Sequence, residues 1–127
     1  MMNTKFYICP DCGVVIEMLH DSGIVPSCCG MKMDQLIPNT VEASGEKHIP
    51  VVTIDGDLLT VNVGSTNHPM EDVHHIEWVQ IVTEDGIQRK MLHPGAAPNV
   101  VFHLGGAKPV AVYAYCNLHG LWKTELN

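Results

Sequence analysis

The stretch Tyr115-Cys116-Asn117-Leu118-His119-Gly120 closes an apolar run, Val110-Ala111-Val112-Tyr113-Ala114, and the rest of the chain is read outward from it. It puts a thiolate and an imidazole three positions apart at the end of a predicted strand, with Gly120 at the far side of a turn. Cysteine and histidine at this spacing can hold one metal ion. The upstream chain offers further imidazoles at His48, His68, His74 and His75. Several nitrogens and one sulfur make an odd set for zinc, which usually takes four ligands. Histidines and a thiolate around an open position suit iron or copper chemistry better.

A chain of 127 residues suits one ordinary domain, or one domain plus a metal-held module. A formal net charge of -7 argues against a nucleic-acid binder, which needs a basic face. It leaves room for an anionic substrate drawn to a local positive spot. No stretch reaches the roughly 18 apolar residues of a membrane span. Met1-Met2-Asn3-Thr4-Lys5-Phe6 lacks the apolar run of a signal peptide, so the cytoplasm is the expected compartment.

The five cysteines are Cys9, Cys12, Cys28, Cys29 and Cys116. An odd count in a reducing compartment reads as metal ligation more readily than as disulfides. All but Cys116 fall in the first 29 residues, which predicts two units. In residues 1–36, Phe6-Tyr7-Ile8 reads as a strand and Cys9-Pro10-Asp11-Cys12-Gly13 as a metal knuckle, with Gly13 taking a left-handed turn. Val14 to Leu19 reads as a second strand and His20 to Gly23 as a turn. About 35 residues cannot bury a sufficient core, so a metal must contribute folding energy. A common zinc ribbon has two Cys-x-x-Cys knuckles, but here the second pair, Cys28-Cys29, is adjacent. Adjacent side chains diverge in extended chain. The site should therefore depart from an ideal tetrahedron, and four-thiolate iron is preferred over a zinc knuckle. His20 reads as surface, and Met18, Met31 and Met33 as packing residues.

Ile37-Pro38-Asn39-Thr40 reads as a linker, and residues 41–47 have a weak helical look. Seven strands are then expected: 49–54, 58–63, 74–82, 87–92, 100–104, 110–115 and 121–125, with Asp55-Gly56-Asp57 as a hairpin turn. Regular turn signals between them predict a two-sheet sandwich. The imidazoles fall at strand edges and in loops, where they can converge at one end of the sandwich. His74 and His75 should point to opposite faces of a strand, so at most one of them ligates, and spacing does not choose between them. His93 reads as structural and His103 as a hydrogen-bonded or surface residue. Glu46-Lys47 stands directly before His48. Lys47 could attract a small anion and assist its protonation through water. Glu46 could occupy a vacant coordination position.

These motifs together resemble desulfoferrodoxin, the two-iron superoxide reductase family. The resemblance runs nearly end to end, through Cys9-x-x-Cys12-Gly13, Cys28-Cys29, Glu46-Lys47-His48-x-Pro50, His68-Pro69-Met70-Glu71, His74-x-Ile76-x-Trp78 and Tyr115-Cys116-Asn117-Leu118-His119-Gly120-x-Trp122. It implies a mainly β chain, with a desulforedoxin-like Fe(Cys)4 domain over residues 1–36 and an immunoglobulin-like seven-stranded catalytic sandwich over residues 37–127. Cys9, Cys12, Cys28 and Cys29 would hold the first non-haem iron. His48, His68, His74 and His119 would surround the second in a plane, with Cys116 on the axis opposite the substrate. His75 falls where relatives often carry an aromatic or apolar residue, which keeps His74 as the ligand by position. The implied reaction is one-electron reduction of superoxide with two protons, giving hydrogen peroxide and ferric iron. The implied partners are a rubredoxin-like electron donor and a second copy of the chain in a homodimer.

Two rivals use the same residues differently. A cupredoxin-like electron carrier wants two histidines, one cysteine and usually a weak axial methionine. No methionine follows Cys116, and the extra imidazoles would be idle. A zinc-dependent scaffold would have to accommodate the adjacent Cys28-Cys29 pair and five candidate ligands at the second site.

Overall fold

The computed structural model describes residues 4–126. They divide into two compact units, one ending at Ile37 and the other starting at Pro38.

In the first unit, β1 (Phe6–Ile8) pairs antiparallel with β2 (Val15–Glu17) on one side and β5 (Asp34–Gln35) on the other. A separate hairpin joins β3 (Ser27–Cys28) to β4 (Met31–Lys32). Tyr7, Cys9 and Met33 form a buried cluster, with Ile16, Met18 and Cys28 packed against them, and Phe6 is buried as well. The second strand is shorter than its apolar run suggests. Leu19 is 91% exposed, because this unit has no further layer to cover it. Met31 is also exposed, so of the three methionines read as packing residues only Met18 and Met33 pack.

The second unit is a seven-stranded, immunoglobulin-like sandwich. Its strands are β6 (Pro50–Asp55), β7 (Leu58–Val63), β8 (Ile76–Thr83), β9 (Ile87–Met91), β10 (Asn99–His103), β11 (Pro109–Cys116) and β12 (Gly120–Glu125). One sheet has the order β10-β7-β6 and the other β12-β11-β8-β9, with antiparallel pairing throughout. Alternation sets the faces. On β7, Leu59, Val61 and Val63 are fully buried; on β10, Val100 and Phe102 point inward. They meet Ile76, Val79 and Ile81 of β8 and Val112, Ala114 and Cys116 of β11 in one core. Of the weak helix expected over residues 41–47, only α1 (Gly45–His48) forms.

Local geometry places the cysteine at the sheet's end. The β11–β8 register shifts between Tyr115 and Cys116, so Cys116 pairs with Ile76. Such an irregularity re-aims a side chain. Residues 117–119 then turn the chain, and Gly120, at φ 77°, pairs back with Cys116. A glycine in the left-handed region suits a three-residue hairpin loop.

Candidate metal centres

The knuckle of the first unit is shaped by backbone bonds. Gly13 N–H donates to the Cys9 carbonyl at 3.0 Å, and Gly13 takes φ 81°. Cys12 N–H donates to Cys9 Sγ at 3.5 Å. The adjacent pair reaches one point because Cys29 itself is left-handed, with φ 53°, followed by Gly30 at φ 72°. That turn breaks the alternation that would send the two side chains apart. Cys28 Sγ lies 3.6 Å from Cys12 Sγ and 3.8 Å from Cys29 Sγ. The four sulfurs all lie within 4.8 Å of one another. Bonds of about 2.3 Å, the zinc–sulfur length, would put the corners of a sulfur tetrahedron about 3.8 Å apart. The Cys12 N–H holds the Cys9 thiol down to about 7, whereas the Cys12 side chain and its neighbours push Cys29 up to about 12. Four thiolates this close repel one another, and a cation at their centre removes that conflict. All five cysteines are free.

In the second unit, four imidazoles form a square. Ring centroids are 4.5 Å apart for His48 and His68, 4.6 Å for His68 and His74, 5.0 Å for His74 and His119, and 4.9 Å for His119 and His48. The His48–His74 diagonal is 6.3 Å. Neighbouring rings stand edge to face, between 75° and 90°. Cys116 Sγ approaches His119 Nδ1 at 3.9 Å, and the ligand atoms of His48, His68, His74 and Cys116 all fall within 4.8 Å of one another.

The nitrogen lone pairs identify what this square can hold. His48 Nδ1 sits 2.6 Å from the Ser44 carbonyl, and His68 Nδ1 sits 2.7 Å from the Pro69 carbonyl. A carbonyl only accepts, so each Nδ1 carries a proton and each neutral ring keeps its lone pair on Nε2. Those two Nε2 atoms face each other at 3.0 Å, and His48 Nε2 is 3.1 Å from His119 Nδ1. Protonation is a poor remedy. Burial pushes His48 and His74 down and takes His68 to about 4. His74 Nε2 is buried without a hydrogen-bond partner, a costly arrangement unless something else meets it. A metal ion at the centre of the square would meet all of these atoms. Bonds of about 2.0 to 2.1 Å, as for zinc and imidazole, place right-angled neighbours about 3 Å apart. Burial pushes the Cys116 thiol up, against N–H groups of His119 and Leu118 that lower it; a bound cation displaces such a proton.

The positions of the histidines differ from the strand pattern in one respect. His74 does not open a strand. It closes a turn paired with Glu71, two residues before β8 begins. His75 turns away, its Nδ1 3.0 Å from the Glu71 carbonyl. His20, His93 and His103 are exposed, and His103 Nδ1 lies 3.9 Å from Asp57 Oδ2. Glu46 and Lys47 are exposed on α1, and the Lys47 charge adds slightly to the burial that disfavours protonated His48 and His74.

Three supporting residues have no role assigned from the sequence: Asn117 and Trp122 stand in the quoted motif without one, and Gly64 lies in a stretch read only as loop. Trp122 stacks on His48, centroids 4.8 Å apart at 25°, and donates its indole N–H to the His119 carbonyl at 3.1 Å. Asn117 brackets His74: its side chain accepts from His75 N–H at 2.9 Å and donates to the Val73 carbonyl at 3.0 Å. Gly64 lies against the backbone of Glu46 and Lys47.

Known proteins repeat this pattern. The sequence profile described as Desulfoferrodoxin matches residues 40–125. A desulfoferrodoxin of Syntrophotalea carbinolica is 43% identical over 121 residues, which span 95% of each chain. A desulfoferrodoxin homolog of Archaeoglobus fulgidus is 38% identical over 94% of this chain and 95% of its own. The superoxide reductase of Treponema pallidum has a solved structure that superposes with a TM-score of 0.81 at 35% identity, covering 98% of this chain and 100% of that one. With this profile, these relatives and two ligand clusters of the expected composition, the chain belongs to the desulfoferrodoxin family.

Proposed function

We infer that the protein is a superoxide reductase that reduces superoxide to hydrogen peroxide at its histidine–cysteine centre. The observation that carries this is the square of four imidazoles, His48 and His68 buried and His74 and His119 half-buried, with the buried Cys116 thiol beside it. We assign His48, His68, His74, His119 and Cys116 as ligands of one non-haem iron, and Cys9, Cys12, Cys28 and Cys29 as ligands of another. We assign the catalytic domain to residues 37–127 and the Fe(Cys)4 domain to residues 1–36; the compact units divide one residue later, after Ile37. Held by the five residues of the histidine–cysteine centre, iron would supply the one electron that, with two protons, converts superoxide to hydrogen peroxide.

The chain's own residues prepare that step. The Ser44 and Pro69 carbonyls fix the tautomers of His48 and His68 so that Nε2 faces inward. Cys116 supplies a soft, electron-rich donor that makes the metal a better reductant. Lys47, exposed beside His48, draws in the anion and assists its protonation through water. Glu46, the exposed carboxylate next to Lys47, would be the group able to approach a bound metal when no substrate is there. The family resemblance further suggests a rubredoxin-like donor, a homodimer and a cytoplasmic location. Among the described residues, no helix is long and apolar enough to cross a membrane.

The test is metal analysis and a visible spectrum of iron-replete protein, before and after reductant, followed by turnover with a rubredoxin. Two irons per chain and superoxide-dependent oxidation of rubredoxin are expected. Two zinc ions after iron-replete expression, or a single blue copper, would overturn it.

A further inference from the structure

Gly64 follows β7 directly and is buried, yet its backbone does not need glycine's freedom: φ is not in the left-handed region. What it needs is space. A Cβ at position 64 would stand 2.4 Å from the Glu46 carbonyl oxygen, 2.8 Å from the Glu46 carbonyl carbon and 2.9 Å from that of Lys47. All three are backbone atoms, so no side-chain rotation relieves the clash. The next residues grip the same carbonyl. Thr66 N–H donates to it at 2.8 Å and the Ser65 hydroxyl at 3.2 Å. The turn at 64–66 is therefore a seat for one peptide, the peptide that joins Glu46 to Lys47.

His48, only one residue further on, is anchored separately. Its Nδ1 donates to the Ser44 carbonyl, its ring stacks on Trp122, and buried Pro50 begins β6 just beyond it. A displacement at position 64 is thus taken up first by Glu46 and Lys47, and least by the His48 ring.

We propose that Gly64 is a positioning residue for Lys47: the absent side chain lets the Glu46 carbonyl seat against the 64–66 turn and fixes where the lysine charge stands beside the metal centre. This rests on the role in anion capture proposed above for Lys47.

The test uses full-length, iron-loaded, prereduced protein and pulse radiolysis across ionic strength, with Gly64→Ala, Lys47→Ala and the double variant. Gly64→Ala should lower the capture rate at low salt by about threefold or more and flatten its salt dependence, as loss of local steering requires. The ferric charge-transfer band and iron occupancy should be unchanged. In the Lys47→Ala background the glycine substitution should have no further effect. An equal loss in both backgrounds would overturn the proposal, as would an unchanged Gly64→Ala where Lys47→Ala is slowed. An unchanged Lys47→Ala would instead remove the lysine role itself, and the proposal with it. If Gly64→Ala does not retain iron, Ser65→Ala carries the test, since it removes one bond to the same carbonyl without adding bulk. A smaller loss in the same direction is then expected, and an unchanged rate and slope would be fatal.

Discussion

His48 and His68 turn their Nε2 lone pairs toward each other at 3.0 Å, each ring locked in that tautomer by a carbonyl at its Nδ1. Two acceptors face to face in a buried site repel unless a cation lies between them. In the other half of the square, His74 Nε2 is buried without a hydrogen-bond partner.

His74 and His75 should separate cleanly on mutation. His74→Ala removes an imidazole from the square and should cost most of the second unit's iron. His75→Ala removes a ring held by the Glu71 carbonyl and should leave that iron in place. Iron content of the two variants, purified side by side, checks this. Equal loss in both would mean that the 71–75 turn, and not one imidazole, holds the metal.

Removing both metals should split the behaviour of the two units. The first has a small set of buried apolar residues, Phe6, Tyr7, Cys9 and Met33, and should unfold on chelation. The sandwich keeps the apolar core of β7, β8, β10 and β11 and should stay folded. Amide spectra of apo-protein would show collapsed dispersion confined to residues up to Ile37. Retained dispersion there would refute metal-dependent folding.

Trp122 fills space and orients two ligands at once. Trp122→Ala should destabilise the sandwich by about 3 to 5 kcal/mol, as for other large buried aromatics. Trp122→Phe keeps a ring over His48 but loses the hydrogen bond to the His119 carbonyl, at a cost of about 0.5 to 1.5 kcal/mol. Denaturant melts of the iron-loaded variants give both values. Similar losses for the two would show that the stack contributes little.

Glu46 and Lys47 should respond in opposite ways. Lys47→Ala should slow superoxide capture by about threefold to tenfold at low salt and by less at high salt. Glu46→Ala should alter the ferric resting spectrum and leave the capture rate nearly intact. Both can be read on one prereduced and reoxidised preparation. A Glu46→Ala spectrum identical to that of the unmodified protein would argue that the carboxylate stays off the metal.

The sandwich was legible because β7 and β10 alternate cleanly, and because Gly56 and Gly120 mark turns that need a positive φ. The ligand types were legible because cysteine and histidine cluster at turns. Choosing His74 over His75 from the residues alone was not possible: a strand pattern puts them on opposite faces, whereas the actual turn ending at His74 is set by contacts with Glu71 and Asn117. The convergence of Cys28 and Cys29 depended on a left-handed cysteine, which local preference disfavours. Gly64 was silent because its requirement is a tertiary approach, invisible to any local rule.

The most direct measurement of the central claim is peroxide yield per superoxide in prereduced, iron-loaded protein, with Cys116→Ser alongside. A reductase gives one hydrogen peroxide for each superoxide consumed and each ferrous centre oxidised, without releasing dioxygen. Cys116→Ser, its iron still held by the four imidazoles, should lose the sulfur-to-iron charge-transfer band and most of that reaction. One peroxide for every two superoxides, with dioxygen released, would mean dismutation. A fully metallated Cys116→Ser protein with the original band and rate would contradict the assignment of Cys116 as the ligand that makes this centre a reductase.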